Sequence, residues 1–117
     1  MIITSENKKI RELLEQEDGR GEAIKYIIKK IPYRFMDKRN MLADIAETGL
    51  HISEYPDVDK VQKTIKIARN ENATDEEMEY AYYGIHVYAA TACVAADNKE
   101  AERKKQKQII LKYFGND

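Results

Sequence analysis

Apolar residues recur along this chain at three- and four-residue spacing with polar residues between them, and no stretch alternates with a period of two. Ile10, Leu13 and Leu14 mark a first helix, which Thr4 or Ser5 can cap and which the Asp18-Gly19 and Gly21 breakers end. Ile24, Ile27, Ile28 and Ile31 stand at i, i+3, i+4 and i+7 and predict a second helix over Glu22 to Lys30. Pro32 stops it, because the residue before a proline is pushed out of the helical region. Asp37 can cap a third helix with Met41, Leu42 and Ile45 inward, and Gly49, after Thr48, stands where a left-handed C-cap glycine belongs. Pro56 and Asp57 open a fourth, with Val58, Val61, Ile65 and Ala68 on one face, which runs out in Asn70-Glu71-Asn72.

The pattern is fullest from Thr74 to Asp97, TDEEMEYAYYGIHVYAATACVAAD, which holds four of the eight tyrosines, six alanines and no Lys or Arg. Thr74-Asp75-Glu76-Glu77 is a capping box: the Thr hydroxyl accepts from the Glu77 amide, the Glu carboxylate reaches back, and the acids load the positive end of the helix dipole. Met78, Ala81, Tyr82, Ile85, Ala89, Ala92 and Ala96 then form one inward stripe built largely of small residues. Gly84 sits inside this helix, where glycine costs about 1 kcal/mol relative to alanine, and suggests a close helix crossing. Tyr80, Tyr83 and Tyr88 fall outside the stripe.

After Asp97 the chain turns charged. Glu100/Lys104 and Glu102/Lys105 pair at helical spacing, and Ile109, Ile110, Leu111, Tyr113 and Phe114 follow before Gly115. One helix from Thr74 to Phe114 would be roughly 60 Å long, against a radius of gyration of about 13 Å for a domain of this size. A break near Asp97-Asn98 is expected. The last apolar cluster and a helix apolar on nearly every side are hard to bury in one small domain, so self-association is expected as well. The pattern as a whole predicts an all-α, single-domain bundle of five or six helices over residues 1–117, with the 74–97 helix central.

Composition narrows the function. The net charge is −1, with five acids and no cation in residues 74–97 and a surplus of cations after them. A whole-protein nucleic-acid partner is therefore disfavoured, although the basic run Arg103, Lys104, Lys105, Lys107 leaves a nucleic-acid-associated regulator as a further alternative. Cys93 is the single cysteine and sits on an alanine-rich face, where a small buried hydrophobe is expected rather than a reactive thiol. With no long apolar run and no disulfide pair, a cytoplasmic protein without membrane contact is expected.

Candidate chemistry is sparse. There are two histidines, His51 and His86; a Glu-x-x-His metal pair with His86 would need a carboxylate where Tyr83 stands. Nucleophile elbows and phosphate-binding glycine loops are missing. No catalytic residue, metal or cofactor is expected, and His86 is expected to hydrogen-bond a tyrosine or carboxylate in a packed core. The tyrosines carry the functional share, because tyrosine buries a large area with few rotatable bonds and keeps a polar tip. Tyr80, Tyr83, His86 and Tyr88, with Arg103 and Lys104 from the basic tail, are the candidate binding residues, and Tyr26, Tyr33 and Tyr55 can extend their surface.

The segment Thr74 to Asn116, with its Thr-Asp-Glu-Glu helix start, the run AYYGIHVYAATACVAA, a charged Lys/Gln stretch and the closing KQKQIILKYFG, resembles the alanine-rich helical proteins found in phage genomes and beside polymorphic toxins. Some of those are described as immunity proteins. The resemblance implies a small, cytoplasmic, non-enzymatic protein that works by binding a toxin or a component of a defence pathway. The alternative is an oligomeric sponge for a nucleotide-like small anion, held by tyrosines of the central helix and cations of the tail.

Overall fold

Six helices account for the secondary structure of the computed structural model among its described residues, 4–52 and 55–115: α1 (Thr4–Glu15), α2 (Arg20–Lys30), α3 (Met36–Ile52), α4 (Val58–Arg69), α5 (Asp75–Ala95) and α6 (Glu100–Phe114). Side chains are described from Ser5 onward, and Ser5 lies inside the first turn of α1. The capping box forms at α5, where the Glu77 amide donates to Thr74 Oγ1 at 3.1 Å and the Thr74 amide to Glu77 Oε1 at 2.9 Å. Asp57 caps α4 by accepting from the Lys60 amide at 3.1 Å. The chain breaks between Ala95 and Glu100, as the length argument requires.

Helix α3 packs on α4, α5 and α6, while α5 packs on α2, α3 and α4 and α1 packs on α2 and α6. The core between them holds Ile10, Ile27, Met41, Leu42, Ile45, Ile85 and Ile110, all at 0% exposure. Burial of each such side chain stabilises by about 1.5–3 kcal/mol. Ile110 and Phe114 belong to this core and Ile109 and Tyr113 pack against it, so the last apolar cluster is covered within the chain. The reason is that α6 doubles back across α3 and α1 instead of extending α5.

Three buried cations tie the helices together. Arg20, the first residue of α2, uses all five guanidinium N–H groups: Nε and Nη2 donate to Asp18 at 2.6 and 3.1 Å, Nη2 to Asp97 at 2.8 Å, and Nη1 to the Cys93 carbonyl at 3.2 Å and to Gln106 Oε1. Gln106, fully buried in α6, passes the chain of bonds to Thr48 of α3 at 3.0 Å and to the Ala92 carbonyl at 3.1 Å. Asp18 takes a left-handed backbone at φ 46°, a conformation an aspartate tolerates better than most residues, and this sets its carboxylate beside Arg20. Lys38 donates to the Ile28 and Ile31 carbonyls at 2.9 and 2.7 Å, closing the C-terminus of α2. Arg39 does the same for α4, through Ile67 and Asn70 at 3.0 and 2.8 Å.

Several expectations about small residues change. The helix expected to end at Gly49 runs to Ile52, so Gly49 is no C-cap. It is a point of close approach: a Cβ there would collide with the Tyr55 hydroxyl and fall 2.9 Å from Ala92 Cβ. Tyr55 cannot yield cheaply, because its one hydroxyl proton is shared between the Ala46 and Tyr88 carbonyl oxygens, at 3.0 and 2.8 Å. Gly84 is not the tight crossing, since a Cβ there would meet Thr64 and Tyr88 at an ordinary 3.4 Å.

Gly49→Ala is therefore expected to lower the melting temperature by several degrees, a loss of about 1–3 kcal/mol from overpacking, and Gly84→Ala to raise it by relieving a helix-interior glycine. Thermal melts followed by circular dichroism check both signs. Arg20→Ala is expected to cost about 3–5 kcal/mol in chemical denaturation, because Gln106, Asp18 and the Cys93 carbonyl lose their donor together.

Candidate functional site

The inward stripe of α5 holds for Ala81, Ile85, Ala89, Ala92 and Ala96, all fully buried. The opposite face is not covered by the rest of the chain. Tyr80, Tyr83, Val87 and Val94 are 46, 76, 46 and 69% exposed, and Ala90 and Thr91 between them are exposed too. Tyr82, expected inward with Met78, is instead 44% exposed.

Tyr82 leans on a ring cluster. Its ring meets Tyr33 edge-on at 5.1 Å and His86 at 4.7 Å, and Tyr33 meets His86 at 6.0 Å. The guanidinium of Arg39 lies over Tyr33 at 5.3 Å. His86 Nε2, the Tyr33 hydroxyl and Arg39 Nε are buried without hydrogen-bond partners, so the expected bond from His86 to a tyrosine or carboxylate is replaced by ring edges. Burial, with the charge of Lys38 second, lowers the His86 pKa to about 4. Burial likewise raises the Tyr33 phenol, against the pull of Arg39.

Beside this cluster an open, mostly apolar pocket of about 290 Å³ is walled by Tyr33, Arg34, Met78, Glu79 and Tyr82. The carboxylates of Asp75, Glu76 and Glu79 at its end of α5 form no ion pair among the described residues. Lys63 from α4 lies over the ring of Tyr80, at 4.7 Å, and its charge adds to the Thr74 hydrogen bonds that lower the Glu77 carboxyl.

The basic residues of the tail lie elsewhere. Arg103 and Lys104 line a cleft of about 450 Å³ with Lys107, Arg20 and the α1–α2 turn, past the C-terminal end of α5. Arg103 donates to the Asp97 carbonyl and Lys104 pairs with Glu100 at 3.3 Å. Four cations in the cleft lining are matched by Glu17, Asp18, Asp97 and Glu100. Tyr83 stands about 20 Å up the helix from Asp97 at 1.5 Å per residue, so the tyrosines and these cations do not converge. Tyr88 is half-buried against Tyr55, ring centroids 5.5 Å apart, and so supports the core.

Reasoning from aromatic residues alone overlooks Tyr82 and Met78 as pocket walls and Val87 and Val94 as part of the exposed face. The signal for the valines is in the numbering: 80, 83, 87, 90 and 94 step by three and four. Cys93 is buried and its thiol is pushed up by burial, as its alanine-rich surroundings imply. Among the described residues no three His, Cys, Asp or Glu side chains are grouped to hold a metal, and no helix is long and apolar enough to cross a membrane. No family model, curated protein or solved structure matches the chain.

His86 binds a proton more readily unfolded, near pH 6.5, than folded, near about 4. Its contribution is fully present above pH 6.5 and is lost as pH falls toward 4. Denaturant unfolding should show stability falling from pH 6.5 to about 5, above the range in which the depressed carboxylates Asp18, Glu47 and Glu77 titrate, and His86→Phe should flatten that slope.

Proposed function

We propose that the protein is a small non-enzymatic binding protein of the immunity or phage anti-defence kind, acting in the cytoplasm by occupying the surface of a protein partner. The observation that carries this reading is the corner at the start of α5, where an open, mostly apolar pocket of Tyr33, Arg34, Met78 and Tyr82 stands next to the carboxylates of Asp75, Glu76 and Glu79, which form no ion pair among the described residues. Exposed tyrosines beside a pocket anchor protein contacts at low entropic cost, and clustered acids select a basic partner and speed its approach. The sponge reading has less support, because the cations it needs are balanced by acids in a cleft at the other end of the helix. The identity of the partner as a toxin or a defence component rests on the resemblance of the C-terminal segment.

Quantitative affinity capture from a host lysate tests this, with Tyr82→Ala and Glu79→Lys beside the wild type. Glu79 is exposed and forms no ion pair among the described residues, so Glu79→Lys should leave the melting temperature unchanged while both variants weaken capture by about 2 kcal/mol or more, roughly 30-fold. Capture that ignores both substitutions would sink the proposal. A nucleotide-sized anion that co-purifies with the protein and is lost on Arg103→Ala would bring the sponge reading forward instead.

A further inference from the structure

Tyr33 and Tyr82 are walls of the pocket at the start of α5, and the same two rings are what His86 packs against, with centroids at 6.0 and 4.7 Å. The imidazole has its Nε2 buried and unpartnered. This place suits a neutral ring, whose edges meet the phenol rings, whereas an imidazolium would carry a charged Nε2–H with no acceptor beside it. The surrounding charges add to the difference. From α3 come two cations: Lys38, whose charge bears on His86 and whose ammonium closes the end of α2, and Arg39, which lies over Tyr33 at 5.3 Å. The α2–α3 connection brings Arg34 and the Tyr33 phenol, and Lys63 of α4 lies over Tyr80. On α5 itself Tyr82 stands one turn before His86 and the exposed Glu79 two turns before. Among the described residues Lys38 is the charge that moves His86, and no carboxylate offsets it.

We propose that His86 is an acid-sensitive latch on this pocket: the neutral imidazole holds Tyr33 and Tyr82 together as walls, and on taking up a proton it leaves the cluster for water, so that the walls separate and the occupant is released. The release of a protein partner rests on the reading of the pocket as the partner's site; the opening of the pocket does not. The opening is local because it uncovers little. Tyr82 is already 44% exposed, while Ile85 and Ala89 on the buried face of α5 keep their cover. It also brings water to the Tyr33 hydroxyl and to Arg39 Nε, which the closed cluster leaves unpaired. The sign follows from where the proton is held. In the closed cluster His86 takes a proton near about 4 and in water near 6.5, so the closed form keeps its full advantage above pH 6.5 and loses it as pH falls toward 4. Relative to pH 7.5, opening is favoured roughly 10-fold at pH 5.5 and roughly 30-fold at pH 5.

Relaxation-dispersion NMR of the full chain reads the opening at the methyl group of Met78, which shares the pocket with both rings, with the fully buried Ile85 methyls as the control. The minor-state population at Met78 is expected to rise roughly 30-fold from pH 7.5 to pH 5 with no matching rise at Ile85. His86→Phe should abolish the rise, and so should His86→Gln, which keeps the experiment decisive if one of the two fails to fold. A rise that persists without His86 overturns the proposal and gives the pH response to a carboxylate such as Glu79. A Met78 that shows no rise overturns it too, as does an equal rise at Ile85, which marks unfolding of the whole bundle. Lysate capture compared at pH 7.5 and pH 5 reads the release: the wild type should weaken severalfold, and His86→Phe, whatever its own level, should lose the pH dependence. Wild-type capture of equal strength at both pH values overturns the release. Capture indifferent to Tyr82→Ala and Glu79→Lys at pH 7.5 sinks the partner reading instead, and Met78 then decides the latch by itself.

Discussion

Each N–H of a guanidinium removed from water is costly if left unpaired, and much of this bundle is arranged around pairing all five of Arg20's. The arginine is 3% exposed, and its acceptors come from the α1–α2 turn, the end of α5, the α5–α6 turn and the middle of α6. A buried charge with unmet donors costs several kcal/mol, so the arrangement is stable only when all four segments are in place. The break after Ala95 belongs to the same demand. A continuous helix would carry Asp97 and Gln106 away from Arg20, whereas the turn returns α6 across the bundle and sets both within reach. The charge is thus balanced at the surface end by two half-exposed aspartates and at the inner end by a neutral amide.

The helices themselves were legible in the sequence, because the cues are local. Apolar spacing, Pro32, the Asp57 cap and the Thr74 capping box each act within four residues, and each appears in the structure where the spacing put it. Gly49 shows where local cues stop. A glycine after a threonine near the end of an apolar stripe has the form of a C-cap, but its actual use is set by Tyr55 and Ala92, which only the tertiary arrangement brings to it. The same holds for Lys38 and Arg39, which in sequence look like solvated charges at a helix start and in the fold are buried against the ends of two other helices.

The candidate site was legible only in part. Tyr80 and Tyr83 do lie on an open surface, because they stand outside the small-residue stripe. Tyr88 stands outside it as well and is nonetheless half-buried, since Tyr55 comes over it from the chain between α3 and α4, a segment with no periodicity to place it. Arg103 and Lys104 were grouped with the tyrosines by nearness in sequence; the direction in which α6 doubles back, fixed by the bonds of Arg20 and Gln106, separates them.

Lys38 and Arg39 are neighbours in sequence, and successive side chains point about 100° apart around a helix. That angle lets them reach α2 on one side of α3 and α4 on the other. Farther along the same helix, Thr48 and Gly49 make the equivalent pair of fits to Gln106 and Tyr55. The two pairs are ten residues apart, so the length of α3 between them is a fixed measure: one residue added there would leave the helix intact and turn one pair away from its neighbours by a quarter turn or more. Between these two pairs the interior of α3 admits substitution but not insertion.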